Sequence, residues 1–217
     1  PQTGALVRAG TTVECLIAVG GQVLADGTED RIAIVGVVAN VFYLAKGIDI
    51  GAPSENLIKT LGYEGEIAKA KAILDAYPDK VILPEYVAVK ENEERREYAV
   101  GATPADCPIL DMGTESIGVF SKLLSESGTV VFNGPAGMFE ERDFATGTYE
   151  LLHAASKAEF SVCGGGHTAA VIEQIGLASD FSLLSTGGGA CIEFLTGKKR
   201  PALDALEKSW ELFGGRI

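Results

Sequence analysis

The chain has 217 residues, of which 47% are hydrophobic, with a mean hydropathy of +0.19 and a net charge of −12. That is enough apolar material for one large α/β domain or two small ones. The acidity argues against a nucleic-acid partner, which needs a basic face toward the phosphate backbone, but not against a small anion held by backbone amides and a metal ion.

Short β-branched runs alternate with helical patterns along the chain. Strands are expected near Ala5–Arg8, Arg31–Val35, Lys80–Leu83, Thr129–Phe132, Glu159–Cys163 and Phe181–Leu184. Most are apolar on both faces, as parallel strands covered by helices must be. Helices are expected over Val13–Leu24, Val38–Lys46 with Gly47 as its stop, Glu64–Ala76, Thr114–Ser125 capped by Thr114, Ala145–Ser156, Thr168–Ile175, Ala190–Leu195 and Pro201–Leu212. The charged stretch Lys90–Tyr98 reads as a solvated loop or hairpin, and Trp210 and Phe213 as packing residues of the last helix. The βαβα repetition predicts an α/β fold: a doubly wound, Rossmann-like parallel sheet of about six strands in three α/β/α layers. No linker interrupts it, so residues 1–217 are expected to form one domain.

The cysteines, Cys15, Cys107, Cys163 and Cys191, form no CxxC pair and read as reduced, buried thiols. With His153 and His167 as the only histidines, a zinc site is not expected, and no metal ligand can be named. The longest uncharged apolar stretch, Ile32–Ala45, contains Asn40 and is too short for a membrane span. No secretory signal opens the chain. A cytoplasmic protein with no membrane partner is the expectation. The first residue is Pro1 rather than methionine, so residues upstream are expected.

Four glycine clusters fall where strands hand over to helices: Gly36, Asn133-Gly134-Pro135-Ala136-Gly137, Gly164-Gly165-Gly166 and Gly187-Gly188-Gly189. In open α/β sheets ligands bind outside the carboxyl ends of the strands. Glycine lets backbone amides approach them, and helix N-termini at that edge favour anions. The pattern points to a phosphate or nucleotide surface. No G-x-x-x-x-G-K-[ST] is present, which argues against a P-loop enzyme. Gly164-Gly165-Gly166-His167-Thr168-Ala169 fits the dinucleotide fingerprint formally. The acid expected at the end of the next strand is replaced by Ser185-Thr186, which opposes a dinucleotide oxidoreductase.

The run Asn133-Gly134-Pro135-Ala136-Gly137-Met138-Phe139-Glu140 resembles the N-G-P-x-G-x-F-E signature of phosphoglycerate kinases. Gly164-Gly165-Gly166-His167-Thr168, Ser185-Thr186-Gly187-Gly188-Gly189-Ala190, Gly36-Val37-Val38-Ala39-Asn40-Val41-Phe42 and Asp111-Met112-Gly113 are similar to further motifs of that family. His167, where other branches carry aspartate, looks archaeal. The resemblance runs from about Ala5 to Ser209 and is to the C-terminal, nucleotide-binding half of the enzyme. The N-terminal half, which binds 3-phosphoglycerate, would be supplied elsewhere.

The resemblance implies that ATP or ADP binds with Mg2+. Gly36, Asn133, Gly134 and Pro135 would line the nucleotide groove, and Glu140 would accept hydrogen bonds from the ribose hydroxyls. The alternative for Glu140 is a solvated residue beside Glu141. Gly164, Gly165, Gly166, His167 and Thr168 would meet the phosphates, His167 more as a hydrogen-bonding partner than as a ligand of Mg2+, which prefers oxygen. A plain N-cap is a second reading of Thr168, and both can hold at once. Gly187, Gly188 and Gly189 would offer amides to the transferring phosphoryl group. One departure stands out: the family's first turn after a strand reads G-G-A-K-V, and here it is Ala9-Gly10-Thr11-Thr12-Val13, with Thr12 in place of a phosphate-contacting lysine. The implied activity is reversible phosphoryl transfer between ATP and 3-phosphoglycerate, absent from this chain alone. A non-catalytic nucleotide-binding module is the alternative.

Overall fold

The structure, a computed structural model, describes residues 4–8, 30–185, 205–206 and 208–211. In chain order the elements are β1 (Gly4–Arg8), β2 (Arg31–Ile34), α1 (Gly36–Ala45), α2 (Ala52–Thr60), α3 (Glu66–Ala76), β3 (Val81–Ile82), β4 (Tyr86–Glu91), β5 (Glu94–Ala99) and β6 (Ile109–Met112). They are followed by α4 (Thr114–Ser125), β7 (Thr129–Asn133), α5 (Thr146–Ala155), β8 (Phe160–Gly164), α6 (Gly166–Gln174) and β9 (Leu183–Ser185).

Six strands form one parallel sheet in the order β3-β2-β1-β7-β8-β9. Alternate residues of each strand serve opposite faces. Ile32 and Ile34 join a core with Val41 and Phe42 of α1, Ile58 of α2 and Ile73 of α3. Ala33 and Val35 point the other way, into a core with Val130 and Phe132 of β7, Phe120 and Leu124 of α4, and Leu151 and Leu152 of α5. Helices therefore cover both faces, and the three-layer α/β/α expectation holds. Phe132 is fully buried, so truncating it to alanine would cost about 3–5 kcal/mol.

The expected parallel strands are all found, most with ends shifted by a residue or two. One helix and a second sheet are additional. Helix α2 begins with Pro53 in its first turn. A second sheet, antiparallel in the order β5-β4-β6, lies between β3 and α4 in the chain. The charged stretch is the hairpin of β4 and β5, turned by Asn92 and Glu93 with φ of 48° and 64°. Thr114 does not cap α4: Gly113 is the residue before the helix, and Thr114 Oγ1 instead donates to Glu97 Oε1 at 2.7 Å. Trp210 is not packed but 75% exposed. Phe213 and the expected helices at Val13–Leu24 and Ala190–Leu195 lie outside the described residues. Cys107 and Cys163 are buried and form no disulfide among the described residues, while Cys15 and Cys191 lie outside them. Among the described residues no helix is long and apolar enough to cross a membrane.

Candidate functional site

The sheet order reverses between β1 and β7, so the crossovers leave in opposite directions and open a crevice at the carboxyl edge. Register brings Arg8 opposite Asn133, Asn133 opposite Gly164, and Gly164 opposite Ser185 along that edge. Asn133 is 5% exposed, and its amide Nδ2 is buried with no hydrogen-bond partner among the described residues. Beyond Gly164 the chain turns at Gly165, whose φ of +108° is closed to other residues without strain, and whose N–H donates to Ser185 O at 3.1 Å. Helix α6 then starts at Gly166 with no side-chain cap. Thr168, inside its first turn, is 2% exposed, and its Oγ1 is a second buried atom without a partner among the described residues.

The two orphaned groups converge. A Cβ on Gly165 would lie 3.6 Å from Thr168 Oγ1 and 3.8 Å from Asn133 Nδ2. Leaving a buried polar group unpaired costs about 1–3 kcal/mol, and among the described residues neither group has a partner. The amides of Gly166, His167 and Thr168 precede the first backward bond, Ala169 N–H to Gly165 O at 2.9 Å. A helix N-terminus with free amides suits a phosphate or carboxylate. Thr168 is thus no N-cap, and the readings of it as an anion contact and as a cap separate here.

Beside this edge lies a cavity of about 240 Å³, almost entirely apolar. Its walls come from α1 (Gly36, Val37, Asn40, Tyr43), α2 (Leu57), the second sheet (Val87, Ile109, Leu110) and the loop after β7 (Pro135 to Met138). The Tyr43 hydroxyl at its base donates to Pro84 O at 2.9 Å, and burial pushes that phenol far up. Asn40 is 3% exposed, and its Oδ1, like Asp111 Oδ1, has no partner among the described residues.

The loop after β7 is held from three sides. Thr148 of α5, fully buried, accepts from the N–H groups of Ala136 at 3.1 Å and Gly137 at 3.3 Å. Met138 N–H donates to Leu110 O at 2.7 Å. Lys90 of β4 pairs with Glu141 at 3.0 Å. Beneath the loop, Asp111 of β6 is packed against two glycines: a Cβ on Gly137 or Gly147 would collide with its Oδ1. Gly137 is therefore required by packing. Asp111 Oδ2 accepts from Gly147 N–H at 3.0 Å and from Arg95 Nη1 at 3.1 Å. Burial pushes this carboxyl above the usual range, against the pull of the Gly147 and Met112 amides and of Arg95. Arg95, from the hairpin, also donates to Met112 O, Asp143 O and Glu97, and its guanidinium sits 5.8 Å from the centre of the Phe144 ring. Desolvation pushes Glu97 up, but hydrogen bonds from Thr114 and Arg95 outweigh it and hold the carboxyl below its usual range.

The expected site residues separate into groups. Gly36, at the start of α1, and Pro135 line the cavity, while Asn133, Gly164, Gly165, Gly166 and Thr168 gather at the crevice. Gly134, with φ of +79°, makes the turn between the two. The backbone of His167 is in the first turn of α6. Glu140 is exposed two residues beyond the cavity wall, with no hydrogen bond or ion pair among the described residues. Thr12, Gly187, Gly188 and Gly189 lie outside the described residues. Asn40, Leu57, Leu110 and Asp111 were not singled out as site residues. The available signal was an asparagine in an otherwise apolar helical run and an aspartate ending an apolar strand.

A family model described as "Phosphoglycerate kinase" matches residues 2–198. The chain belongs to the phosphoglycerate kinase family. It is 69% identical over 214 residues to a phosphoglycerate kinase of Methanocorpusculum labreanum, covering 99% of this chain and 53% of that protein. It is 41% identical to that of Methanosarcina mazei, covering 95% of this chain and 50% of the relative. The crystal structure of phosphoglycerate kinase from Pyrococcus horikoshii superposes with a TM-score of 0.88 at 34% identity, over 97% of this chain and 53% of the other. The chain spans about half the length of the phosphoglycerate kinases it matches.

Proposed function

We propose that this chain is the ATP/ADP-binding half of a phosphoglycerate kinase, folded as one domain. The observation that carries the reading is the pair of buried, unpartnered groups, Asn133 Nδ2 and Thr168 Oγ1, converging at the mouth of α6 next to an apolar cavity. An apolar slot for a base beside an amide-lined slot for phosphates suits a nucleotide, and the family membership supports it. Glu140, free and exposed at the rim, would accept the ribose hydroxyls. The amides at the start of α6, with Asn133 and Thr168, would orient the phosphate chain.

Among the described residues no group of three or more His, Cys, Asp or Glu side chains could hold a metal. Mg2+ would be carried mainly by nucleotide phosphates and water, its usual habit. The ion would neutralise charge on the phosphates. The amides of Gly187, Gly188 and Gly189 would receive the transferring group, and positioning with charge stabilisation would supply most of the catalysis. The acceptor is the carboxylate of 3-phosphoglycerate, so no general base is needed. It would be presented by a partner domain, with transfer yielding 1,3-bisphosphoglycerate and ADP. A cytoplasmic location follows from that role.

Thermal unfolding tests the reading. Mg-ADP at a hundredfold excess over its Kd should stabilise the protein by about 2.7 kcal/mol. No shift at millimolar nucleotide, with the protein shown to be folded, overturns it. The chain without its partner domain should show no phosphoglycerate kinase turnover. Turnover by the purified chain would contradict the division of substrates.

A further inference from the structure

In the hairpin of β4 and β5, Lys90 and Arg95 are directly opposed. Like charges in that arrangement destabilise a strand pair. Opposed residues share a face of the sheet, so both side chains leave the hairpin in the same direction. There they meet one segment, the turns that lead from the loop after β7 into α5. Lys90 Nζ donates to Glu141 Oε2 at 3.0 Å and lies 3.4 Å from Glu93 of its own turn. Arg95 Nη1 donates to Asp143 O at 3.0 Å and to Asp111 Oδ2 at 3.1 Å, and its guanidinium stands over Phe144. The segment itself is a series of linked turns, with Glu141 N–H donating to Met138 O at 3.0 Å and Phe144 N–H to Glu141 O at 2.9 Å. Glu140 lies inside the first of these turns, exposed and with no hydrogen bond or ion pair among the described residues. Two opposed cations turned onto one loop are explained by a need to hold that loop still.

We propose that the β4–β5 hairpin clamps the ribose end of the nucleotide site, with Lys90 and Arg95 as positioning residues that act through Glu140, an inference that rests on the nucleotide reading of the site. A carboxylate that accepts from two hydroxyls at once must be held within about 0.5 Å of its working position. No hydrogen bond or ion pair among the described residues fixes the Glu140 side chain, so its placement depends on the backbone of its turn. Lys90 fixes that turn one residue further on, at Glu141, and Arg95 fixes the next turn at Asp143. Holding the backbone before the ligand arrives lowers the ordering cost of binding, and only contacts made by the held residue gain from it. The phosphate groove at Asn133 and Thr168 belongs to other elements, β7 and α6. The clamp therefore serves the ribose contact and not the phosphate contacts.

The test measures Mg-ADP and its 2′,3′-dideoxy analogue by titration calorimetry on the wild type, Lys90→Met, Arg95→Met, Glu140→Ala and the double variant Lys90→Met with Glu140→Ala. The wild type should prefer ADP by about tenfold, the size of a charged hydrogen bond. Lys90→Met should cut that preference by about threefold or more while leaving the analogue within about twofold. Lys90→Arg, which can rebuild the pair with Glu141, should restore it. Arg95→Met should act as Lys90→Met does. In the Glu140→Ala background Lys90→Met should change the affinity for neither ligand, because the residue it positions is gone. A partly exposed ion pair adds little to stability, so Lys90→Met folds and decides the matter even where Arg95→Met does not. Equal weakening of both ligands would make the hairpin a structural support and overturn the proposal, as would an unchanged preference or a further loss in the Glu140→Ala background. In all of those outcomes the wild type still binds ADP and the nucleotide reading stands. A wild type that binds both ligands equally places the ribose away from Glu140 and overturns the proposal as well. Failure of the wild type to bind either nucleotide would sink the underlying reading and this one with it.

Discussion

Replacing Arg95 with methionine should destabilise the protein by about 3 kcal/mol above the folded pKa of Asp111 and by less below it. Asp111, whose side chain is 0% exposed, keeps its charge with the help of a guanidinium that is itself 18% exposed, at 3.1 Å. Breaking a buried pair costs about 3–5 kcal/mol, and the lower end applies because the arginine is partly solvated. Burial already raises the folded-state pKa of Asp111, and Arg95 opposes that rise. A carboxyl with a raised folded pKa binds its proton more tightly when folded. Its ionisation therefore lowers stability as pH climbs from the unfolded value through the folded one, and the loss is complete above it. Without Arg95 the folded pKa rises further, and the window of falling stability extends upward. Below the wild-type folded value both proteins hold Asp111 neutral, and the variant loses only the carbonyl hydrogen bonds, the partly exposed pair with Glu97 and the contact with Phe144. Urea unfolding across that pH range measures the difference. A loss of 3 kcal/mol corresponds to about 6–12 °C in Tm for a chain of this size. Adding Asp111→Asn should recover most of the loss at high pH. A pH-independent penalty, or no recovery in the double variant, would refute the account.

Other expectations concern the loop above that pair. Glu140→Ala should weaken ADP binding by roughly 1–2 kcal/mol and leave a 2′,3′-dideoxy analogue and unliganded stability nearly unchanged. Equal losses for both ligands in calorimetry would place the ribose elsewhere. Gly137→Ala should destabilise the unliganded protein by about 1–3 kcal/mol, because its Cβ would strike Asp111 Oδ1 and come within 2.7 Å of Phe144 O. A melting temperature equal to the wild type would show that the loop has room to shift.

The parallel sheet was legible because its strands are uninterrupted apolar runs stopped by glycine, a pattern that only burial on both faces demands. Asn133 and Gly165 stood out as candidates because they follow those runs directly, and Thr168 stood out through the family resemblance. The second sheet was obscured by chemistry of its own. Strand β5, Glu-Arg-Arg-Glu-Tyr-Ala, is largely solvent-facing, and the Arg95 that is drawn inward serves a partner on another strand. Its turn uses Asn92-Glu93 rather than Asn-Gly, so the usual hairpin signal was missing. Helix α2 buries only Ser54 and Ile58, too little for a visible apolar stripe. The cavity was beyond sequence reasoning because its walls come from α1, α2, two strands of the second sheet and the β7 loop, which only the tertiary fold brings together.

Gly4 of β1 lies opposite Thr129 of β7, while every other parallel pairing joins strands that follow one another more closely along the chain. The sheet is thus two locally closed halves, β1-β2-β3 and β7-β8-β9, stitched along one seam. Loop-closure entropy makes that seam the slowest pairing to form. Asn133 is at its carboxyl end. A molecule that binds there grips both halves at once, so occupancy should slow separation of the halves more than it stiffens either one. Hydrogen exchange would register this as protection concentrated in β1 and β7.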